Sequence, residues 1–145
     1  MRDIMTNLTR GSQGPLIALR FRKTMTAPPS PLPLFDPEAV EKLRAVAGAS
    51  DPGFVADVAQ VFLEEATGLM QGIRDATAAR DWKTASRSAH SVKSSSATLG
   101  LLRLSAACRA LELSAHRGEG EEATVLAEQV FQEFEAAVPA VRAIR

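Results

Sequence analysis

The stretch "SDPGFVADVAQVFLEEATGLMQGIRDATAARD", residues 50–81, carries a long and regular helical pattern. Asp51 and Pro52 match a helix start, because aspartate caps free N–H groups and proline fits the first turn. Large apolar residues then follow at spacings of three, four or seven, which places them on one side of a helix. The pattern predicts a long amphipathic helix whose buried stripe contains Phe54, Val58, Val61, Phe62, Leu69 and Ile73.

Helical signals continue on both sides of this stretch, and no strand pattern competes with them. Before it, Asp36 and Pro37 begin a short helix that Gly48 ends. After it, three more helices are predicted, and Pro139 discourages continuation of the last one. One short helix followed by four longer ones with brief connections predicts an all-α fold, an antiparallel up-and-down four-helix bundle with a short N-terminal helix. The three later helices cover about residues 82–99, 101–116 and 119–138.

The chain divides into a predicted leader, residues 1–35, and a predicted bundle, residues 36–145. The leader holds five cations and five of the eight prolines without sustained periodicity, which predicts a flexible basic segment. A nucleic-acid or membrane arm is a weaker interpretation, because the cations are scattered and form no amphipathic face. The sequence from Met25 resembles the opening of a compact domain, so the role of the leader and the true start stay open.

Several function classes are excluded by what the 145 residues do not contain. Neither a G-x-x-x-x-G-K-[ST] loop nor a G-x-G-x-x-G motif occurs, so no recognisable phosphate cradle for a nucleotide is present. Cys108 is the only cysteine and there are two histidines, too few for a standard zinc site or an internal disulfide. We therefore expect no cofactor and no metal, and a cytoplasmic location. No apolar run is long enough to span a bilayer, so we expect no membrane association.

The stretch "RSAHSVKSSSATLG", residues 87–100, carries the candidate site. On a helical wheel His90 points away from the core, on the same side as Lys83, Ser86, Arg87, Lys93, Ser94 and Ala97. A histidine on such a basic face is by itself an ordinary surface residue.

Glu112 on the next predicted helix gives that histidine a partner. If the chain reverses at Gly100, His90 and Glu112 lie about 15 and 18 Å from the turn along antiparallel axes. Glu112 sits at the edge of a buried stripe, so its carboxylate can accept a hydrogen bond from one imidazole nitrogen and leave the other unprotonated and nucleophilic. On the residues alone, a helix-surface charge is an equally good interpretation of Glu112. The stripe contains Leu101, Leu104, Cys108, Leu111 and Ala115.

Residues His90 to Gly100 resemble the signature of histidine-containing phosphotransfer (HPt) domains of two-component signalling, approximately H-x-[LIV]-K-G-[SA]-[SA]-x-x-[LIV]-G. Among the defined positions only Ser94 departs, where the family has glycine. The following "LSAACRALE" resembles the family's next helix, and Glu112 stands where a polar residue supports the histidine. The resemblance covers roughly residues 36–140.

The resemblance implies a monomeric phosphorelay intermediate without kinase activity of its own, and leaves open whether it counts as an enzyme. His90 would accept a phosphoryl group from a receiver-domain aspartyl phosphate and pass it to another receiver. Lys93 would compensate charge on the phosphoryl oxygens, and Glu112 would support the imidazole. The implied partners are response-regulator receiver domains and a hybrid histidine kinase. We expect the docking surface to contain Ser86, Arg87, Ser94, Ala97 and Arg109.

Charge is distributed in a way that suits such partners. Between Arg74 and Arg117 there are eight cations and three acids, whereas residues 36–145 carry twelve cations and sixteen acids. The basic excess surrounds His90 and complements an acidic receiver pocket. Nucleic acid is disfavoured, because the bundle is net acidic and Trp82 is the only tryptophan. The alternative function is a helical adaptor that binds a partner without chemistry. The kinase, the receivers, the direction of phosphoryl flow and the effect of Ser94 on docking stay open.

Overall fold

The computed structural model describes residues 31–145, and every regular element in that range is an α-helix. The predicted all-α class is therefore confirmed. The first thirty residues, which make up most of the predicted leader, lie outside the described range, and the division at residue 35 stays a prediction. The helices are α1 (Pro37–Ala47), α2 (Phe54–Ala78), α3 (Trp82–Thr98), α4 (Leu102–His116) and α5 (Gly120–Arg142).

The four long helices pack as a bundle. Helix α3 contacts α2 and α4, and α5 contacts α4 and α2, so each long helix has two long neighbours, and α2 also contacts the short helix α1. Connections of three residues join them, which requires successive helices to run antiparallel. Within the described range, no helix is both long and apolar enough to cross a membrane.

The core combines large apolar residues with many alanines, which let neighbouring helices approach closely. Helix α3, which carries the candidate site, faces the core through Ala85, Ala89 and Val92, all fully buried. Helix α4 faces it through the predicted stripe from Leu101 to Ala115, every member of which is buried. The inner faces of α3 and α4 are thereby fixed, which directs their other faces outward.

The short helix α1 is held by the turn between α3 and α4. Asp36 caps α1 by accepting a hydrogen bond from the Glu38 N–H at 3.0 Å, and Pro37 occupies the first turn, as predicted. The Asp36 N–H donates to the Gly100 carbonyl at 2.8 Å. Val40 is the buried residue of this helix.

The predicted start and stripe of α2 are wrong in part. The helix begins at Phe54 after a turn at Pro52 and Gly53, and the Asp51 side chain makes no cap bond. Val61 is 49% exposed, because the buried line runs through smaller residues that the spacing of large ones does not reveal. Phe54, Val58 and Leu69 are half-buried. The buried positions are Val55, Ala59, Phe62, Ala66, Met70, Ile73 and Ala76.

The predicted end of α5 at residue 138 is also wrong, since the helix continues through Pro139 to Arg142. A proline inside a helix costs about 3 kcal/mol, partly through the lost bond to the carbonyl four residues earlier. Here that carbonyl belongs to Glu135, an exposed residue that water can reach. Continuing the helix buries Val141 and brings Ile144 to the core, and each such side chain contributes about 1.5–3 kcal/mol. The free energy gained by burying these two side chains outweighs the cost of the proline.

Candidate functional site

Helix α3 presents His90 to solvent. Asp81 caps the helix through hydrogen bonds from the Thr84 N–H at 3.1 Å and from the Thr84 hydroxyl at 2.7 Å. The buried residues of α3 recur at Ala85, Ala89 and Val92, on the side opposite His90. The His90 side chain is 57% exposed, so a macromolecular partner can reach its ring.

A single carboxylate on α4 contacts the side chains of both His90 and Lys93 on α3. Glu112 Oε2 lies 2.7 Å from His90 Nδ1, and Glu112 Oε1 accepts a hydrogen bond from Lys93 Nζ at 2.7 Å. An ionised carboxylate only accepts hydrogen bonds, so in the neutral ring Nδ1 carries the hydrogen and Nε2 carries the free lone pair. The arrangement fixes the tautomer that leaves the lone pair of the neutral ring on Nε2.

Glu112 is held in its charged form. Its side chain is 21% exposed. The hydrogen bond from Lys93 and a smaller contribution from His90 lower the pKa of the Glu112 carboxyl, although burial acts in the opposite direction. Glu112 therefore stays a hydrogen-bond acceptor throughout the neutral pH range.

Two serine hydroxyls tie α3 to α4 on either side of this trio. Ser86 donates to the Glu112 carbonyl at 3.2 Å, and Ser105 donates to the Lys93 carbonyl at 3.0 Å. These bonds hold α3 and α4 in one relative position and rotation. They therefore help to set the distance between His90 Nδ1 and the Glu112 carboxylate. Ser105 is absent from the residues predicted for the site. The reversal at Gly100 that relates His90 to Glu112 also brings Ser105 near the level of Lys93, so the same reasoning would have found it.

The five residues predicted for docking differ in how exposed they are. Arg87, Ser94 and Ala97 are exposed on the outer side of α3. Arg109 is exposed on α4, one turn before Glu112, whereas Ser86 is half-buried with its hydroxyl used between the helices. The structure thus brings four of the five to the surface and gives the fifth an internal contact.

The buried thiol behind the site is chemically inert. Cys108 is fully buried on α4. Burial raises the pKa of its thiol to about 12, and the Glu112 charge adds to the rise. The thiolate is the nucleophilic form of cysteine, so Cys108 is a poor nucleophile at neutral pH. In residues 31–145 no group of three or more histidine, cysteine or carboxylate side chains is arranged to hold a metal ion.

Comparisons with known proteins agree with this geometry. The family model of the Hpt domain matches residues 57–144. The crystal structure of histidine-containing phosphotransfer protein B (HptB) from Pseudomonas aeruginosa PAO1 superposes with a TM-score of 0.65 at 28% sequence identity, covering 76% of this chain and 89% of that chain. A search of curated proteins gave no significant match. The family match spans more than half of the sequence and includes both helices of the site, so the chain belongs to the Hpt domain family and has a phosphotransfer role in two-component signalling.

Proposed function

We propose that this protein is a phosphorelay intermediate that accepts a phosphoryl group on Nε2 of His90 from a receiver-domain aspartyl phosphate and passes it to another receiver. One observation carries the proposal: the imidazole is 57% exposed while its Nδ1 lies 2.7 Å from Glu112. The ring is accessible, and its lone pair is confined to Nε2.

The chemistry needs no other group on this chain to act as a nucleophile. The Nε2 lone pair attacks phosphorus in line, the bond between phosphorus and the aspartyl oxygen breaks, and the receiver's aspartate leaves as a carboxylate. The imidazole ring gains positive charge, which the Glu112 carboxylate stabilises through the Nδ1 hydrogen. Transfer to the next receiver is the same step in reverse, with an aspartate oxygen as the nucleophile.

Lys93 supports the phosphoryl group through charge. Its ammonium lies on the face of α3 that carries His90, and Glu112 holds it at 2.7 Å. A cation fixed near the ring lowers the free energy of the phosphoryl oxygens in the transition state and in phosphohistidine. Because the same carboxylate contacts both side chains, Lys93 and His90 are positioned together.

The surface around His90 suits docking of a whole protein domain. Ser94 and Ala97 are small and exposed, so a receiver can approach the ring closely. Ser94 replaces the glycine of the family signature and adds one hydroxymethyl group to this surface. Arg87 and Arg109 add positive charge, and Ser86 completes the set of docking residues that we propose.

Hpt domains interact with receiver domains and kinases in phosphorelays. For this chain we propose response-regulator receivers and a hybrid histidine kinase as partners, with the protein acting as a monomer in the cytoplasm. Kinase activity is not part of the proposal, since the chemistry borrows its phosphoryl group from a receiver.

The direct test is transfer of radiolabelled phosphoryl groups from phosphorylated receiver domains. The wild-type chain should gain an acid-labile, base-stable label, whereas His90→Gln should gain none while keeping its helical circular dichroism spectrum. His116→Gln removes the only other histidine and should reach the same amount of label at completion. A labelled His90→Gln protein contradicts the assignment. A wild-type chain that binds receivers without taking label favours the adaptor alternative.

A further inference from the structure

A cleft of about 420 Å³ opens between α3 and α4 next to the site. Lys83, Ser86 and Arg87 line it from α3, and Ala115 and His116 form its wall on α4. The cleft lies on the side of His90 toward the start of α3. No residue of the His90, Lys93 and Glu112 trio lines it, so the cleft is a separate feature of the same surface.

The two permanently charged residues of this cleft, Lys83 and Arg87, have no ion-pair partner in the part of the chain that the structure describes, residues 31–145. Cations elsewhere on the bundle are engaged: Arg103 pairs with Glu133 at 3.1 Å, and Arg74 lies 4.1 Å from the centre of the Phe131 ring. Lys83 and Arg87 are also exposed, so neither is held by packing. The cleft therefore offers positive charge that the fold itself does not neutralise.

One carboxylate, that of Asp81, interacts electrostatically with these cations. Hydrogen bonds from Thr84 lower the pKa of Asp81, and Arg87 and Lys83 add to the effect at longer range. The Asp81 oxygens are already used in capping α3, and they form no ion pair with either cation. Asp81 attracts the two side chains without filling the cleft.

The position of the cleft fixes where its occupant lies on a docked partner. Arg87 and Lys83 precede His90 by three and seven residues. They therefore lie on the same face of α3 as His90, about 4.5 and 10 Å from it along the helix axis. An anionic group bound between them is about one helical turn or two from the reacting nitrogen. A receiver that delivers its aspartyl phosphate to His90 necessarily covers this region.

We propose that this cleft binds an acidic side chain on the receiver surface, about 5–10 Å from the receiver's phosphorylated aspartate. The inference rests on the proposed function and adds to it a residue-level basis for choosing partners. Receivers with a carboxylate at that distance dock through Lys83 and Arg87. Receivers with a neutral or basic residue there leave both cations unpaired under the interface, which disfavours their binding.

The test compares two double variants that remove the same amount of charge. A receiver that labels the wild-type chain is selected from a panel of purified receiver domains, and kcat and KM for transfer are measured at 50 and 300 mM salt. Lys83→Gln/Arg87→Gln should raise KM about tenfold at low salt with kcat within about twofold, since docking charges act on encounter rather than on the chemical step. The effect should shrink at high salt, because salt screens exposed charges.

The control is Arg142→Gln/Arg145→Gln, at the end of α5, and it should leave KM within about twofold of wild type. Equal KM changes in both double variants would mean that only net charge matters and would overturn the cleft assignment, as would an unchanged KM in the cleft variant. A wild-type chain that no receiver labels contradicts the proposed function itself. The two failures are therefore distinguishable.

Discussion

Glu112 is the residue on which the reactivity of His90 depends in the function that we propose. Its two oxygens are divided between His90 Nδ1 and Lys93 Nζ, each at 2.7 Å. A carboxylate in this position sets the tautomer of a neutral imidazole and stabilises the positive charge that phosphorylation creates. One side chain on α4 thereby positions both the proposed nucleophile and the cation on α3.

The pairing of Glu112 also makes a prediction about stability and pH. Hydrogen bonds from Lys93 and His90 lower the pKa of Glu112 in the folded state. The resulting stabilisation is fully present above the ordinary glutamate pKa of about 4.3 and is lost as the pH falls through the lower folded pKa. Glu112→Gln should therefore reduce the free energy of unfolding by about 1 kcal/mol at pH 7 and by much less at pH 3.

Urea denaturation at the two pH values measures this difference. Glu64→Gln is the control, since Glu64 is exposed and, among residues 31–145, its carboxylate accepts a side-chain hydrogen bond from Gln60 alone. It should stay within about 0.5 kcal/mol of wild type at both pH values. A gap between Glu112→Gln and wild type that is the same at pH 3 as at pH 7 would show that the carboxylate charge does not stabilise the fold.

Part of the trio formed by His90, Lys93 and Glu112 could be predicted from the sequence. The level of Glu112 beside His90 follows from the reversal at Gly100 and the rise of a helix, which depend only on counting residues. The contact between Lys93 and Glu112 was not predicted. A flexible lysine side chain can pair with any carboxylate within its reach, and the spacing of residues in the sequence does not give those distances. Ser94 departs from the family signature, and the structure gives it an exposed position without a contact that explains the change.

At the level of elements, α1 depends on the backbone at Gly100. This residue has φ +77°, a region that favours glycine, and its carbonyl accepts the Asp36 N–H at 2.8 Å. A Cβ at Gly100 would overlap the Asp36 carbonyl oxygen and lie 2.9 Å from the Ala39 Cβ. Gly100, the last residue of the stretch 87–100 that carries the site, therefore also holds the start of α1.

Gly100→Ala should lower the free energy of unfolding by about 2–3 kcal/mol and speed amide exchange in α1 first. Gly118→Ala is matched to it, because Gly118 has φ +73° but nothing within 4 Å of an added Cβ. The control should cost about 1 kcal/mol, the strain of the backbone alone. Urea denaturation and hydrogen exchange measure both effects. Equal losses in the two variants would show that the contact with α1 contributes nothing.

Helix existence was easier to predict than helix ends. The caps at Asp36 and Asp81 lie within a residue or so of where the pattern places helix starts, because capping is a local interaction. The continuation through Pro139 was missed, since it depends on burial of Val141 and Ile144 against other helices. Local signals give the position of a helix, and tertiary packing decides where it stops.

For the whole molecule, the all-α bundle was predictable because four amphipathic helices with three-residue connections have few ways to bury their apolar faces. The concentration of cations around His90 was equally readable from the sequence. The cleft beside His90 was not, since it arises from the gap between side chains of two helices. The cleft that we propose to select partners is thus the least predictable part of the site.

In the function that we propose, His90 carries the phosphoryl group on Nε2 while Glu112 holds Nδ1. Nuclear magnetic resonance of the chain labelled with ¹⁵N-histidine, after transfer from a phosphorylated receiver, measures this directly through ³¹P–¹⁵N coupling. We predict coupling to a single nitrogen, Nε2 of His90, and retention of the hydrogen on Nδ1. Phosphorus coupled to Nδ1, phosphorus on His116, or phosphate without coupling to any imidazole nitrogen would contradict it.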